Sequence, residues 1–274
     1  MFKLGCIPDI PDARDINATK LFTVLSTSVD KLYIDGAIKT IQSPFVTRSS
    51  SSGVDLRSYC PQVENQLSLS SCVANATVGA LETLRSIAGV SHVDFSRLFL
   101  YYNARLRHSA QGVDNGTQIR HCMASLTLDG VTTESNWAYN TSLVNTRPSW
   151  SAYRSAYFNK LSGYYRISSL DLVSDIKTSL NSKHSVVISV EVDGSFQTID
   201  SSGVYNSRGG NILGRHAMLI VGYDDIQRRL IVRNSWGETW GDKGYCYIPY
   251  QLFINEMKPL DIWVPTITVT SVLK

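Results

Sequence analysis

The hydrophobic period changes once along the chain, and that change limits the fold more than any other feature. Between residues 72 and 181, apolar side chains return at three- and four-residue steps, the spacing of one helical face. Val73, Ala76, Ala80, Leu81, Leu84 and Ile87 form the first such row, and Gly89 ends it. "FSRLFLYYNARLR" is a second helix with Ser96 as its N-cap. "TQIRHCMASLTLDG" is a third, with Ile119, Cys122, Met123 and Leu126 on one side and Gly130 past its end. "PSWSAYRSAYFNK" and "LDLVSDIKTSLNSK" add two more, Pro148 suiting a helix start. From residue 185 onward the pattern turns to short β-rich runs: "SVVISVEV", "HAMLIVGYDD", "RRLIVRNS" and "GYCYIPY", with "YDDIQRR" as a hairpin turn. Helices first and strands later predict an α+β protein of two lobes.

Residues 1–53 stand apart. "IPDIPDARDINATK" is rich in Pro and Asp and reads as extended chain and turns. "LFTVLS" and "KLYIDGAIKTIQSPFV" suit short strands, and "TRSSSSG" suits a flexible, protease-sensitive linker. The tail "PLDIWVPTITVTSVLK" alternates Val, Thr and Ile and predicts one more strand. The net charge of +3 and the lack of a Lys/Arg block argue against nucleic acid as a partner. No apolar run reaches the length of about 18 residues that a membrane span needs. The first residues, "MFKLGCIPDIPDARD", lack the apolar core of a signal peptide.

The chemistry begins with cysteine. Cys6, Cys60, Cys72, Cys122 and Cys246 include no CxxC pair, so zinc-knuckle and thioredoxin-like sites are not expected. Cys122 and Cys246 read as core. Cys72 opens a helix after Ser70 and Ser71, where unpaired N–H groups favour thiolate and lower the thiol pKa. A nucleophilic cysteine needs a base. Of His92, His108, His121, His184 and His216, only His216 stands at a loop–strand junction; the other four read as solvated surface residues. The base needs an acceptor that fixes its tautomer. Asn234, at the end of the strand that pairs with the His216 strand, supplies it, and Trp236 shields that bond from water. Gln66, six residues before Cys72, and the Cys72 backbone N–H are candidates for stabilising an oxyanion.

Taken together, "VDLRSYCPQVENQLSLSSCVANATVGALE", "NGTQIR", "GRHAMLIVGYDD" and "RNSWGETWGDKGYCYIPY" resemble the papain-like (C1) cysteine peptidases, in particular their bacterial branch. The order is right, and His216 and Asn234 follow Cys72 at close to the roughly 130–150 residues recorded for such enzymes. The resemblance implies a helical left lobe over residues 54–160 and a β-rich right lobe over 161–274, with Cys72 and His216 facing each other across a cleft. It implies peptide-bond hydrolysis through a thioester at Cys72, His216, Asn234 and Gln66, with protein or peptide substrates, a monomer, and no metal or cofactor. It also implies substrate-binding roles for Gly116 and Trp236. The same site would serve an amidase, deamidase or acyltransferase, and a silent binding scaffold is a third reading.

The family's usual loop reads Gln-Gly-x-Cys-Gly-Ser-Cys-Trp, whereas this chain has Gln66-Leu67-Ser68-Leu69-Ser70-Ser71-Cys72-Val73. Leu69 replaces a half-cystine, so the usual neighbouring disulfide cannot form. Papain-like enzymes are usually made as zymogens, which makes residues 1–53 a candidate inhibitory segment, held through Phe22, Leu25, Tyr33 and Ile34. The rival reading is a permanent structural extension. By the same resemblance the protein is expected to be exported after loss of a signal, with the cytoplasm as the alternative.

Overall fold

The computed structural model describes residues 2–9, 11, 12, 15, 30–34, 37–41 and 52–267. "LFTVLS", Phe22, Leu25 and most of the Ser-rich linker lie outside them. Two strands, β1 (Asp30–Ile34) and β2 (Ala37–Ile41), pair antiparallel. β3 (Gly53–Asp55) follows. The helical half then comprises α1 (Cys72–Ile87), α2 (Arg97–Leu106), α3 (Ile119–Leu128) and α4 (Trp150–Ala156).

Each helix begins and ends for a local reason. Ser96 accepts from the Phe99 N–H at 3.1 Å and Ser149 from the Ala152 N–H at 3.3 Å, satisfying donors that a helix start leaves orphaned. α1 stops where Gly89 turns to φ +75°, a backbone state that costs glycine nothing. This helix is buried from Cys72 through Leu84, so it is the hub of the core rather than an amphipathic surface helix.

The second half alternates strands with short helices: β4 (Gly163–Arg166), α5 (Leu172–Asn181), β5 (Val186–Asp193), α6 (Gly194–Gln197), β6 (Ile212–Asp224), β7 (Arg229–Arg233), β8 (Tyr245–Pro249), α7 (Tyr250–Asn255) and β9 (Ile262–Thr266). Among the described residues these strands form one antiparallel sheet in the order β4-β9-β5-β6-β7-β8. β3 also joins it, pairing with β6, so the start of the helical half by position belongs to the sheet by contact. α1 lies against β6. Gly79 leaves room for the Arg233 guanidinium, which a Cβ there would meet at 2.6 Å. Every strand residue of β5 except Glu191 is buried, which explains its nearly unbroken apolar run.

Candidate active site

His216 lies in β6, and Asn234 directly follows β7, the partner strand of the hairpin. The Asn234 Oδ1 is 2.8 Å from His216 Nε2. The same oxygen accepts the Ser235 N–H at 2.8 Å. A backbone N–H only donates, so the amide end at this position is the oxygen, and His216 Nε2 must carry the proton. That leaves Nδ1 as the basic nitrogen of the neutral ring. It is buried with no hydrogen-bond partner. Trp236 stacks on the imidazole at 4.6 Å between centroids. Burial pushes the His216 pKa down to about 4, against the upward pull of Asn234.

Cys72 is the first residue of α1 and is fully buried. The backbone N–H groups of Ala217, next in sequence to His216, and of Gly5 favour the thiolate. The sequence expectation of a depressed thiol pKa is corrected here. Burial pushes it up to about 11, outweighing the amides of Ala217, Gly5 and Val73 that favour thiolate. Desolvation of a buried anion exceeds the helix-terminus field. Burial thus disfavours the charged form of both Cys72 and His216, and His216 Nδ1 makes no hydrogen bond to the sulfur.

Gln66 is buried and oriented by Ser235, whose hydroxyl donates to Gln66 Oε1 at 2.7 Å. Its Nε2 therefore faces the other way, donating to Lys3 O at 3.0 Å and Leu69 O at 2.8 Å. The Gln66 N–H donates to Ser235 O, and the Gly237 N–H to Glu64 O, both at 2.9 Å. The Asn-Ser-Trp-Gly segment thus zips onto residues 64–66 while Asn234 reaches back to His216. Gly237 turns at φ +78° with Asn65 packed against it. Tyr139, which the sequence did not single out, donates to Gln66 O at 2.9 Å and lies 2.5 Å from Ser71 Oγ.

Residues 2–9 run across this site as an extended strap. Phe2 stacks on Trp236 at 4.5 Å, nearly parallel. Lys3 O meets Gln66, and Gly5 crosses Ser70 so closely that a Cβ would overlap the Ser70 carbonyl. Thr117 N–H donates to Gly5 O, and Ile7 N–H to Thr117 O, each at 3.0 Å, a parallel pairing centred on Cys6. Gly116, at φ +90°, lies under the Gly5 carbonyl; its neighbour Thr117 makes the backbone bonds. Beyond the cleft, Arg120 holds Asp9 at 2.7 Å, and the Asp9 N–H donates to Asp261 at 3.0 Å. The strap is thus residues 2–9. The expected anchors Phe22 and Leu25 lie outside the described residues, and for Tyr33 and Ile34 only the backbone is described.

The remaining candidates stay away from this centre. Cys122 and Cys246 are fully buried and all five cysteines are free. His92 is exposed, while His184 is partly buried, with Nδ1 2.8 Å from Ser182 O. His108 and His121 are not simply solvated: they are partly buried and stacked at 4.9 Å. Among the described residues no group of three or more His, Cys, Asp or Glu is arranged to hold a metal. No described helix is long and apolar enough to cross a membrane.

Residues 50–256 match the family described as papain family cysteine protease. The chain belongs to the papain family of cysteine proteases. A peptidase C1-like protein of Acanthamoeba polyphaga mimivirus, named as uncharacterized, is 31% identical over 95% of this chain and 85% of its own length. Chymopapain of Carica papaya is 27% identical over 69% of this chain and 51% of its own length. Among solved structures, xylellain, a cysteine protease from Xylella fastidiosa, superposes with a TM-score of 0.79 at 28% identity, covering 97% of this chain and 96% of that one. Procathepsin L 3 of Tenebrio molitor shares the fold, with a TM-score of 0.65 at 19% identity over 91% of this chain and 86% of its own. The papain-like peptidase thus has the α+β, two-lobed architecture of its family.

Proposed function

We propose that Cys72, His216, Asn234 and Gln66 carry out peptide-bond hydrolysis and that residues 2–9 hold this site closed. With the strap displaced, water re-enters and the thiol proton passes to His216 Nδ1. The thiolate attacks a substrate carbonyl, and the Gln66 Nε2–H and Cys72 N–H stabilise the oxyanion. Collapse breaks the C–N bond, His216 Nδ1–H protonates the leaving amine, and a thioester remains. His216 then takes a proton from water, hydroxide adds to the thioester, and the protonated thiol leaves. Asn234 keeps the imidazole in one tautomer throughout. Residues 54–160 and 161–274 serve as the two lobes flanking the cleft, with Gly116 and Trp236 beneath the substrate.

The observation that carries this reading is the peptide carbonyl of Lys3 at 3.0 Å from Gln66 Nε2, with the Gly5 backbone crossing Ser70 two residues before Cys72. A backbone already lies where a substrate backbone would have to lie. The strap is this protein's own inhibitory partner in the proposal, and peptides or unfolded proteins are its substrates. Digestion of a peptide mixture in ¹⁸O-water, with an added amine, tests it. Hydrolysis places ¹⁸O in new carboxylates and disappears in Cys72→Ser. Products made mainly by amine capture, or cleavage that survives Cys72→Ser, contradict it.

A further inference from the structure

Resting on that reading, we propose that Asp114 is a positioning residue with two duties: it braces the segment between Gln66 and Cys72, and it helps to hold the strap in its seat. The segment has no covalent brace, since every cysteine in the chain is free. Side chains hold its backbone instead: Gln66 and Tyr139 towards its start, and one carboxylate next to the nucleophile. Asp114 Oδ1 accepts the Ser70 N–H at 2.9 Å and the Tyr101 hydroxyl at 2.7 Å. The same Tyr101 oxygen accepts the Gly116 N–H at 3.0 Å. Ser70 Oγ also donates to the Asp114 carbonyl at 3.3 Å. The nucleophile loop and helix α2 therefore meet at Asp114 Oδ1, and the Gly116 turn joins them through the Tyr101 hydroxyl. Ser70 is two residues from Cys72, whose N–H is the second oxyanion donor in the mechanism above. Movement of Ser70 moves that donor.

The second carboxylate oxygen faces the strap: Lys3 Nζ is 3.1 Å from Asp114 Oδ2. Lys3 is also the residue whose carbonyl occupies Gln66. One side chain thus holds the strap at its exposed edge and the catalytic loop at its buried edge. The two duties fall on different oxygens, and this makes them separable. In Asp114→Asn the amide oxygen still accepts from Ser70 and Tyr101, while its NH₂ meets the Lys3 ammonium and cannot pair with it. In Asp114→Ala both contacts go. Lys3→Met removes only the strap contact.

The test uses the full chain as wild type, Lys3→Met, Asp114→Asn and Asp114→Ala. Alkylation of Cys72 by iodoacetamide, read as intact mass, reports strap opening. Peptide hydrolysis, with kcat expressed per alkylatable site, reports loop geometry. Half-exposed ion pairs contribute modestly, so alkylation should speed up by roughly two- to fivefold in all three variants. The kcat should hold in Lys3→Met and Asp114→Asn and fall about ten- to a hundredfold in Asp114→Ala, with KM little changed. Equal kcat in Asp114→Asn and Asp114→Ala overturns the brace. Unchanged alkylation in Lys3→Met and Asp114→Asn overturns the strap contact. Alkylation without hydrolysis in every protein, Lys3→Met included, would instead sink the proposed peptidase mechanism, and this inference with it.

Discussion

Ser235 Oγ donates to Gln66 Oε1 across 2.7 Å, and this contact decides which end of the Gln66 amide faces the cleft. The neighbouring backbone N–H of Ser235 does the same for Asn234. One residue thereby orients the side chain of Gln66 and, through Asn234, the tautomer of His216.

Removing that hydroxyl should separate orientation from binding. Ser235→Ala is expected to lower kcat about tenfold while leaving KM within about twofold, because Gln66 keeps its backbone bonds but loses its amide anchor. The stability cost should be about 1 kcal/mol, that of one buried hydrogen bond. Steady-state kinetics and urea unfolding on the same protein check both.

The pH behaviour of His216 follows from its burial. Its pKa is depressed from 6.5 to about 4 in the closed site, so the closed form disfavours the charged ring. The His216 contribution to closure is fully present above pH 6.5 and is lost as pH falls from 6.5 towards 4. Asp261, pushed up to about 6 by burial, acts in the opposite sense, so the single site must be followed. In a Cys72→Ser background, NMR of the imidazole should show titration near 4 in the intact chain and nearer 6.5 once residues 1–9 are removed. Identical titration in both would mean that the strap does not desolvate the ring.

Leu67 stands where the family's usual loop has glycine, and it sits at φ +52° while half exposed. A left-handed conformation costs a non-glycine residue roughly 1–2 kcal/mol. Leu67→Gly should therefore stabilise the fold by about 1 kcal/mol after the entropy of the freer unfolded chain is allowed for. The Leu67 N–H bond to Asn65 Oδ1 at 2.9 Å remains available. A higher midpoint in chemical denaturation supports this, and a lower one contradicts it.

Gly5 offers a way to open the site without shortening the chain. A methyl group there overlaps the Ser70 carbonyl, so Gly5→Ala cannot seat the strap as observed. Cys72 alkylation should speed up at least about tenfold, more than the loss of the Lys3 ion pair achieves, with little change in melting temperature. Equal alkylation rates in Gly5→Ala and wild type would show that the strap does not limit access.

The α+β order was legible because period is a local property. The run from Val73 to Ile87 repeats at helical steps and "SVVISVEV" is β-branched, whatever surrounds them. Cys72, His216, Asn234 and Gln66 stood out because their residue types suit one chemistry in one chain order; the β6–β7 hairpin sets Asn234 on His216, and the Asn-Ser-Trp-Gly turn sets Ser235 on Gln66. What was hidden depends on placement in space. The pKa of Cys72 is set by burial, which its place at a helix start does not reveal. Thr117 acts through its backbone, so its side chain gives no signal. Tyr139 and Asp114 act through single oxygens, and neither type is unusual where it stands. His108 and His121 look solvated until two helical segments stack them.

The proposed strap, residues 2–9, closes a competent cysteine peptidase site. The most direct measurement is labelling of Cys72 by a peptidyl epoxide, read as intact mass, in the full chain and in a chain lacking residues 1–9, with Cys72→Ser as control. The account predicts a single addition at Cys72 that is at least about tenfold faster without the strap and absent in the control. Equal rates with and without the strap, or no labelling of either folded protein, would contradict it.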